Sequence, residues 1–302
     1  MSITSAAATS DLGQSVDERA HIQTPLARFW RRFRRQKVAM VALGFLAALI
    51  LTAAFAPWLV PHDPNAQSLI DRLQSPNATY WLGTDDLGRD VLSRMLIAAR
   101  VSLLAAVEAT AVSIVLGVPL GLAAGYLGGW VDTVTSRVAD AIMAIPSLLF
   151  ALAIIAVLGP DLTKAMLAIG FVNAPRFFRI VRGATLVVRE QPFIVAALAL
   201  GGSGRRIVAG HILPNVQSPL IVQISLSMGF AILFEAALSF LGLGVQPPDA
   251  SWGTMLGRST KFMERAPYLV IFPGLAIFLT VLAFNILGDA INDALSQRTR
   301  GT

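Results

Sequence analysis

Two glutamates lie inside long apolar stretches of the sequence, where a charged group is a candidate for chemistry. Glu108 and Glu235 are each flanked by apolar residues on both sides. A charge at mid-membrane costs about 2.5–3.5 kcal/mol on insertion scales. Either glutamate could line an aqueous path or relay protons, or could bond to Ser, Thr or backbone in a neighbouring helix. The sequence leaves both interpretations open.

A group of three aspartates, Asp85, Asp86 and Asp90, raises the question of a metal site. The three lack the Gly and Glu pattern of a calcium loop, and acids at the start of a helix favour its dipole without any ion. The chain has no cysteine, and its three histidines lie far apart in sequence. We therefore predict that the chain binds no metal.

Enzyme motifs are missing where they would be expected. The sequence has no GxxxxGK[ST] phosphate loop and no HExxH, and the run GGSGR at 201–205 departs from the GxSxG elbow at its fifth residue. We therefore predict that the chain is not an enzyme and binds no cofactor itself.

The composition is that of a chain that lies mostly in lipid. Hydrophobic residues make up 55% of it and charged residues 14%, and the mean hydropathy is +0.66. These values are typical of a polytopic membrane protein. The net charge of +6 would suggest nucleic acid in a soluble domain. Here the basic residues flank apolar runs, so we predict no nucleic-acid partner.

The apolar runs predict an all-α membrane protein. Residues 38–60 carry no charge and would span roughly 34 Å at about 1.5 Å per residue. Four further runs are also long enough: 101–126, 138–158, 216–243 and 268–288. The run at 162–175 is shorter and ends at Arg176, so its length alone would indicate a core helix or a re-entrant segment.

The distribution of basic residues decides the topology. The segment 28–37 carries six basic residues and no acid, which places the N-terminus in the cytoplasm. The segment 176–206 carries six arginines against one acid, Glu190, so the run 162–175 must cross for this segment to be cytoplasmic too. The result is six transmembrane helices with both termini cytoplasmic, and Arg298 and Arg300 in the tail agree. A local ion pair of Asp140 with Arg137 is also expected at the cytoplasmic side.

These inferences divide the chain into five parts. We predict a cytoplasmic tail with an interfacial basic helix facing lipid at 1–37, a first transmembrane helix at 38–60 and an extracytoplasmic segment at 61–97. A transmembrane core follows at 98–290, with a cytoplasmic loop at 190–215, and a cytoplasmic tail occupies 291–302.

The stretch FIVAALALGGSGRRIVAGHILPN at 193–215 lies in that cytoplasmic loop. Its pattern predicts a short apolar helix, a glycine hinge at 201–204, and a second short helix that ends before Pro214. Apolar surface with small side chains at its centre is typical of a docking site for a partner.

Four separated motifs resemble one family of transport proteins. Ala196-Ala197, then Gly201, then Leu213-Pro214 resembles the EAA loop of ATP-binding-cassette (ABC) importer permeases. Three more motifs are similar to the C-type permease subunit of dipeptide, oligopeptide, nickel and glutathione importers: LGTDDLGRDVLSR at 82–94, LSFLGLGVQPPDASWGTML at 238–256 and FNILGDAINDAL at 284–295. Val195 departs from the pattern, because it stands where the loop usually has glutamate.

The resemblance implies a type I ABC importer permease fold in a bacterial inner membrane. It implies a heterodimer with a second permease, two ATP-binding subunits that hold ATP and Mg, and an extracytoplasmic substrate-binding protein. The coupling residues carried over are Phe193, Ile194, Val195, Ala196, Ala197, Leu198, Gly201, Arg205, Arg206, Leu213 and Pro214.

A translocation pathway is also expected, at Glu108, Ser225, Met228 and Glu235, from their positions in the predicted spans. Peptides are favoured over nickel as the substrate, because no histidine or cysteine lies within a span. The alternative is a self-sufficient secondary transporter whose two intramembrane glutamates relay protons.

Overall fold

A computed structural model describes residues 25–296, and the prediction of an all-α protein is confirmed over this part of the chain. Its only β-type pairing is an isolated bridge between Thr84 and Asp90. The helices are α1 (Pro25–Arg35), α2 (Lys37–Leu59), α3 (Val91–Leu127), α4 (Gly129–Ala144), α5 (Ser147–Leu158), α6 (Leu162–Arg189), α7 (Pro192–Ala199), α8 (Gly204–Ile207), α9 (Leu213–Phe240), α10 (Trp252–Ser259) and α11 (Tyr268–Ser296). Of the tails predicted at 1–37 and 291–302, residues 1–24 and 297–302, with Arg298 and Arg300, lie outside the described residues.

Four helices of the described chain are long and apolar enough to cross a membrane. They are Lys37–Leu59, Val91–Leu127, Gly204–Phe240 and Tyr268–Leu295. Each overlaps a predicted span, but α3 begins at Val91 rather than at residue 101. Asp90 causes this early start, because its side chain accepts a hydrogen bond from the Ser93 backbone N–H at 2.9 Å and caps the helix.

The third predicted span, 138–158, is wrong as a single helix. It is formed by α4 and α5, which meet at a bend of 91°. Pro146 lies at the break and disfavours helical geometry in the residue before it, and Ile145 is accordingly extended, with φ −90° and ψ 132°. Counted together, α4 and α5 give a fifth candidate span.

The fourth predicted span corresponds to α6, a helix of 28 residues that continues past Arg176 without a break. At about 1.5 Å per residue it is roughly 42 Å long, which suffices to cross a bilayer. It is too rich in Lys and Arg to qualify as an apolar span by composition. The six-helix topology is therefore not established by helix length and apolarity alone.

A stripe of three glycines lets α3 pack closely against α6. A Cβ atom at Gly117 would lie 2.5 Å from the Ala174 carbonyl oxygen, and one at Gly121 would lie 2.8 Å from that of Phe178. At Gly125 the nearest side-chain atom would be 2.6 Å away. Small residues at intervals of four allow two helix backbones to approach each other in this way.

The loop before α3 is held together by its own acidic residues. Asp85 accepts hydrogen bonds from the Arg89 backbone N–H at 3.0 Å and from Arg89 Nε at 2.7 Å. The Tyr268 hydroxyl, at the start of α11, lies 2.8 Å from the Gln74 carbonyl oxygen in the same loop. Asp85 and Asp90, two of the three aspartates that raised the question of a metal, thus act as an ion-pair partner and a helix cap.

The basic helix α1 packs onto the far end of α11. Phe33 is 2% exposed and lies in a cluster with Ala39, Ala290 and Ala294. Its neighbour Trp30 remains partly exposed, with the Arg34 guanidinium 5.8 Å from its ring centroid. This helix therefore presents aromatic and basic groups next to the end of the last span.

Candidate coupling segment and membrane-embedded polar sites

The apolar segment at 192–202 forms a short helix with a sharp end. Pro192 occupies the first turn of α7, where its missing N–H has no consequence. The helix is closed by backbone hydrogen bonds from Gly201 N–H to the Leu198 carbonyl at 2.9 Å and from Gly202 N–H to the Ala197 carbonyl at 3.0 Å. Gly201 has φ +80°, a conformation that favours glycine, so this residue fixes the exit from the helix.

The helix α7 has one buried and one exposed apolar face. Ile194 is fully buried and Ala197 packs beside it, whereas Val195 and Leu198 are 58% and 48% exposed. The exposed apolar surface is formed by Phe193, Val195, Leu198 and Leu200, which we call the α7 face. Ala196 is also exposed. A contiguous apolar surface of this kind is typical of a site where a partner binds.

The chain beyond the glycines differs from the prediction. The expected second helix does not end before Pro214, because α8 continues through a π-helical turn, Val208–Ile212, directly into α9. A π turn shifts the hydrogen-bond register, and Pro214 lies in the first turn after it, where its missing N–H is tolerated. Arg205 and Arg206 are exposed at the start of this long helix, and Leu213 is half-buried.

The buried side of α7 connects the segment to three long helices. Ile194 lies in a cluster with Val118 of α3, Phe177 of α6 and Val216 of α9. The side chain of Arg189, at the end of α6, donates to the Tyr126 carbonyl at the end of α3 at 2.9 Å. A displacement of α7 therefore acts on α3, α6 and α9 through direct packing.

Ion pairs link α4 to α6 close to this segment. Arg182 forms a two-pronged interaction with Asp132, with Nη2 2.6 Å from Oδ2. Asp140 pairs with Arg179 at 2.6 Å, so the predicted pair with Arg137 is wrong. The turn between α5 and α6 brings Arg179 across to Asp140, which sequence spacing could not reveal.

Glu235 lies in a network of hydrogen bonds near the far end of α9. It is 1% exposed, and its carboxylate accepts from Ser239 Oγ at 2.6 Å and from Ser102 Oγ of α3 at 3.1 Å. The backbone N–H of Trp252, which begins α10, lies 3.4 Å from Ser102 Oγ. Glu235 thus has the serine partners that the sequence offered as the alternative to an aqueous path, and it joins α3, α9 and α10.

The other predicted pathway residues lie on different surfaces. Glu108 is half-buried on α3 and, within the described chain, has no hydrogen bond or ion pair. Ser225 is buried, with its Cβ near Gly288 of α11, and Met228 packs against the main apolar core. The structure does not bring these residues and Glu235 into one site, and their role in a pathway stays a prediction.

A cleft that combines apolar walls with a few polar groups lies between α6, α9 and α11, and the sequence did not predict it. The cleft has a volume of about 320 Å³ and is lined by residues that include Arg176, Gln223, Ser227, Phe230 and Asn285. By the positive-inside rule, Arg176 is only one of the basic residues of the predicted cytoplasmic segment 176–206. The available signal was that Gln223 and Ser227 interrupt a predicted apolar span four residues apart, on one side of the helix.

The described chain contains no group of three or more His, Cys, Asp or Glu residues that could hold a metal ion. Among the described residues, the candidate sites are an exposed apolar face, a buried carboxylate network and a cleft that contains Arg176. These features suit partner binding and passage of a solute.

Two family models match the chain. The model described as "binding-protein-dependent transport system inner membrane component" covers residues 117–301. The one described as "N-terminal TM domain of oligopeptide transport permease C" covers residues 24–76.

Curated relatives match almost the whole chain. It is 44% identical over 277 residues to the dipeptide transport system permease protein DppC of Alkalihalophilus pseudofirmus, which covers 92% of this chain and 91% of the relative. It is 44% identical over 281 residues to the glutathione transport system permease protein GsiD of Escherichia coli O1:K1, with 93% of each chain covered.

A solved structure of the inward-facing MetNI methionine ABC transporter shares the fold. The TM-score is 0.52 at 19% sequence identity, and the match covers 64% of this chain and 92% of the other. At this identity the likeness shows the fold alone.

Proposed function

The chain belongs to the family of binding-protein-dependent transport system inner membrane components, and we propose that it is one permease subunit of an ATP-driven peptide importer. It is a multi-pass protein of the inner membrane and a transport component rather than an enzyme. The relatives named above for dipeptide and glutathione transport support a peptide as the substrate.

The observation that carries this proposal is the exposed α7 face. Phe193, Val195, Leu198 and Leu200 present apolar side chains beyond the bundle, while buried Ile194 fixes the helix to α3, α6 and α9. Such a helix can bind in a groove of a partner and can transmit the partner's movement to α3, α6 and α9 through its packing contacts. We assign the α7 face, with Ala196, Ala197, Gly201, Arg205 and Arg206 around it, to contact with an ATP-binding subunit.

The proposed assembly contains this chain, a second permease, two ATP-binding subunits that bind ATP and Mg, and an extracytoplasmic substrate-binding protein. Its spans are α2, α3, the α4–α5 pair, α6, α9 and α11, with both termini and α7 in the cytoplasm. To move the pathway from about 1:99 to 99:1 between two states, the ATP-binding subunits must favour one state by about 5.5 kcal/mol. A short rigid helix is a suitable contact for that transfer.

The test is a charge placed on the α7 face. In Leu198→Glu, we expect ATP-driven uptake to fall by at least about tenfold, because an unpaired carboxylate inside an apolar interface costs several kcal/mol. Leu198 is 48% exposed, so the change should leave membrane insertion intact. The measurements are peptide uptake and ATP hydrolysis in proteoliposomes that contain the complete complex.

Val187→Glu is the matched control. It adds the same charge at a position that is 65% exposed near the end of α6, outside the α7 face, so we expect uptake close to that of the unmodified chain. If Leu198→Glu transports at the normal rate, the α7 face does not contact the ATP-binding subunit and the assignment is wrong.

The proposed assembly can also be tested against a secondary transporter. The chain purified from its native membrane should bring two ATP-binding subunits and a second permease with it. Uptake by this chain alone, in vesicles with a proton gradient and no ATP, would instead support the proton-coupled alternative.

A further inference from the structure

Arg176 lies near the middle of α6, the helix that forms the fourth span in the proposed topology. It is the fifteenth of 28 residues in Leu162–Arg189, so about 21 Å of helix separates it from Leu162. A charged side chain at such a depth is costly and in membrane proteins faces the bundle interior or water, where it commonly marks a substrate path. The placement alone therefore calls for a functional explanation.

The guanidinium of Arg176 has no acidic partner in the described part of the chain. The ion pairs found among residues 25–296 involve other basic residues, including Arg179 and Arg182 on the same helix. The side chain of Arg176 donates one hydrogen bond, from Nη1 to Asn173 Oδ1 at 3.3 Å. Because a guanidinium carries five N–H donors, most of its capacity is unused.

Neighbouring side chains hold Arg176 in one orientation. Its guanidinium carbon lies 4.2 Å from the centroid of the Phe230 ring on α9, a cation–π contact. The amide of Asn173, which accepts from Arg176, donates to Ser227 Oγ at 3.2 Å, and Gln223 also donates to Ser227 Oγ at 3.0 Å. The arginine is thus positioned by aromatic stacking and by a buried amide–hydroxyl network.

The arginine lines an open cleft rather than a closed core. Arg176 shares the lining of the cleft of about 320 Å³ with Gln223, Ser227, Phe230 and Asn285. Ser227 accepts two hydrogen bonds, which leaves its own hydroxyl proton free for another acceptor. The cleft therefore offers a positive charge and further donors at one place, an arrangement suited to an anion.

We propose that Arg176 binds the carboxylate of the transported peptide as it passes through the membrane, with Ser227 and Gln223 as polar neighbours. This inference rests on the proposed function. The planar fork of an arginine matches a carboxylate with two parallel hydrogen bonds, and every peptide with a free C-terminus carries one. Because the site contains a single arginine, we expect it to bind the substrate weakly enough to release it, which transport requires.

The experiment compares a dipeptide that has a free C-terminal carboxylate with its C-terminal amide. Both are supplied to proteoliposomes of the complete complex at concentrations that saturate the binding protein. In Arg176→Gln, we expect uptake of the free-acid dipeptide to fall by about tenfold or more, since a hydrogen bond to a charged group is lost. Uptake of the amide should change by less than about twofold, and Arg176→Lys should give an intermediate loss.

The matched control is Arg179→Gln, which removes the same charge one turn further along α6. Arg179 pairs with Asp140 at an exposed position and does not line the cleft, so this variant should not discriminate between the two peptides. Equal loss of both peptides in Arg176→Gln, or no loss, would overturn the proposal, as would failure of this variant to assemble with the second permease. If the unmodified complex shows no ATP-dependent uptake, the proposed function itself fails.

Discussion

At the scale of single residues, burial separates the acidic groups of this chain into different roles. Glu235 is almost fully buried and accepts hydrogen bonds from two serine hydroxyls, whereas Glu108, on α3, is half-buried. Asp85 and Asp90 shape the loop that precedes α3. Only the three-dimensional neighbours distinguish these roles, because each acid resembles a possible catalytic or proton-binding group in sequence.

We predict that Glu235 has a structural role that does not need its charge to change. Glu235→Gln keeps one acceptor oxygen and the side-chain shape, so ATP-driven uptake should stay within about threefold of normal. Glu235→Ala leaves the hydroxyls of Ser102 and Ser239 without their acceptor, and should lower stability by about 1–3 kcal/mol. Thermal unfolding of the detergent-solubilised protein measures the second effect.

The same pair of variants examines the proton-relay alternative. A proton carrier cannot be replaced by an amide, so loss of all uptake in a well-folded Glu235→Gln protein would contradict the structural role.

At the scale of elements, the close packing of α3 against α6 fixes the position of α6 in the helix bundle. The three glycines of α3 at 117, 121 and 125 let its backbone approach α6, and α6 carries Arg176 at the cleft and Arg189 at the coupling segment. The position of α6 therefore determines the geometry of both candidate sites.

We predict that Gly121→Ala destabilises the protein by about 1–3 kcal/mol through overpacking. A Cβ atom there would lie 2.8 Å from the Phe178 carbonyl oxygen and 2.9 Å from Val181 Cβ. Gly44→Ala in α2 is the control, because nothing lies within 4 Å of its added Cβ and the change should not destabilise the protein. Thermal stability of the two purified variants gives the comparison, and equal midpoints would show that α3 and α6 are free to separate.

The sequence predicted most of the long helices but not the bend between α4 and α5. Long apolar runs predicted α2, α3, α9 and α11, because a long run of high hydropathy is a direct signal of a helix that is stable in lipid. The bend at Pro146 was missed, although the proline is visible, since prolines at 57, 119, 219 and 273 lie inside unbroken helices. Whether a proline ends a helix depends on its neighbours in space.

The candidate sites also differ in whether the sequence predicts them. The α7 segment is predicted, because its apolar residues and glycines are contiguous in sequence. Ser102, one of the two serine partners of Glu235, lies 133 residues away, and the aromatic partner of Arg176 lies on another helix, so no local pattern contains these contacts. Contacts between distant segments require the fold.

At the scale of the whole molecule, the described residues arrange three features along the membrane normal of the proposed topology. The α7 face lies at the cytoplasmic end, the Arg176 cleft lies in the middle, and the Glu235 network lies near the opposite end. This order matches what an importer requires, with energy supplied at one side and substrate received at the other.

We predict opposite sidedness for two exposed positions. The chain has no cysteine, so single cysteines can be introduced without background. Ile70→Cys (94% exposed) should react with a membrane-impermeant maleimide in intact spheroplasts, whereas Glu190→Cys (side chain 75% exposed) should react only after lysis. Labelling of both from the same side would contradict the topology with six spans.

The uninterrupted run from Gly204 to Phe240 has a mechanical consequence. This single helix of 37 residues is about 55 Å long, and it carries Arg205 near one end, Glu235 near the other end and Phe230, which contacts Arg176, between them. A tilt of about 10° around its midpoint would move the two ends roughly 5 Å in opposite directions. We therefore expect this helix to tilt as one rigid body. A displacement of its cytoplasmic end by the ATP-binding subunit would then also displace its extracytoplasmic end.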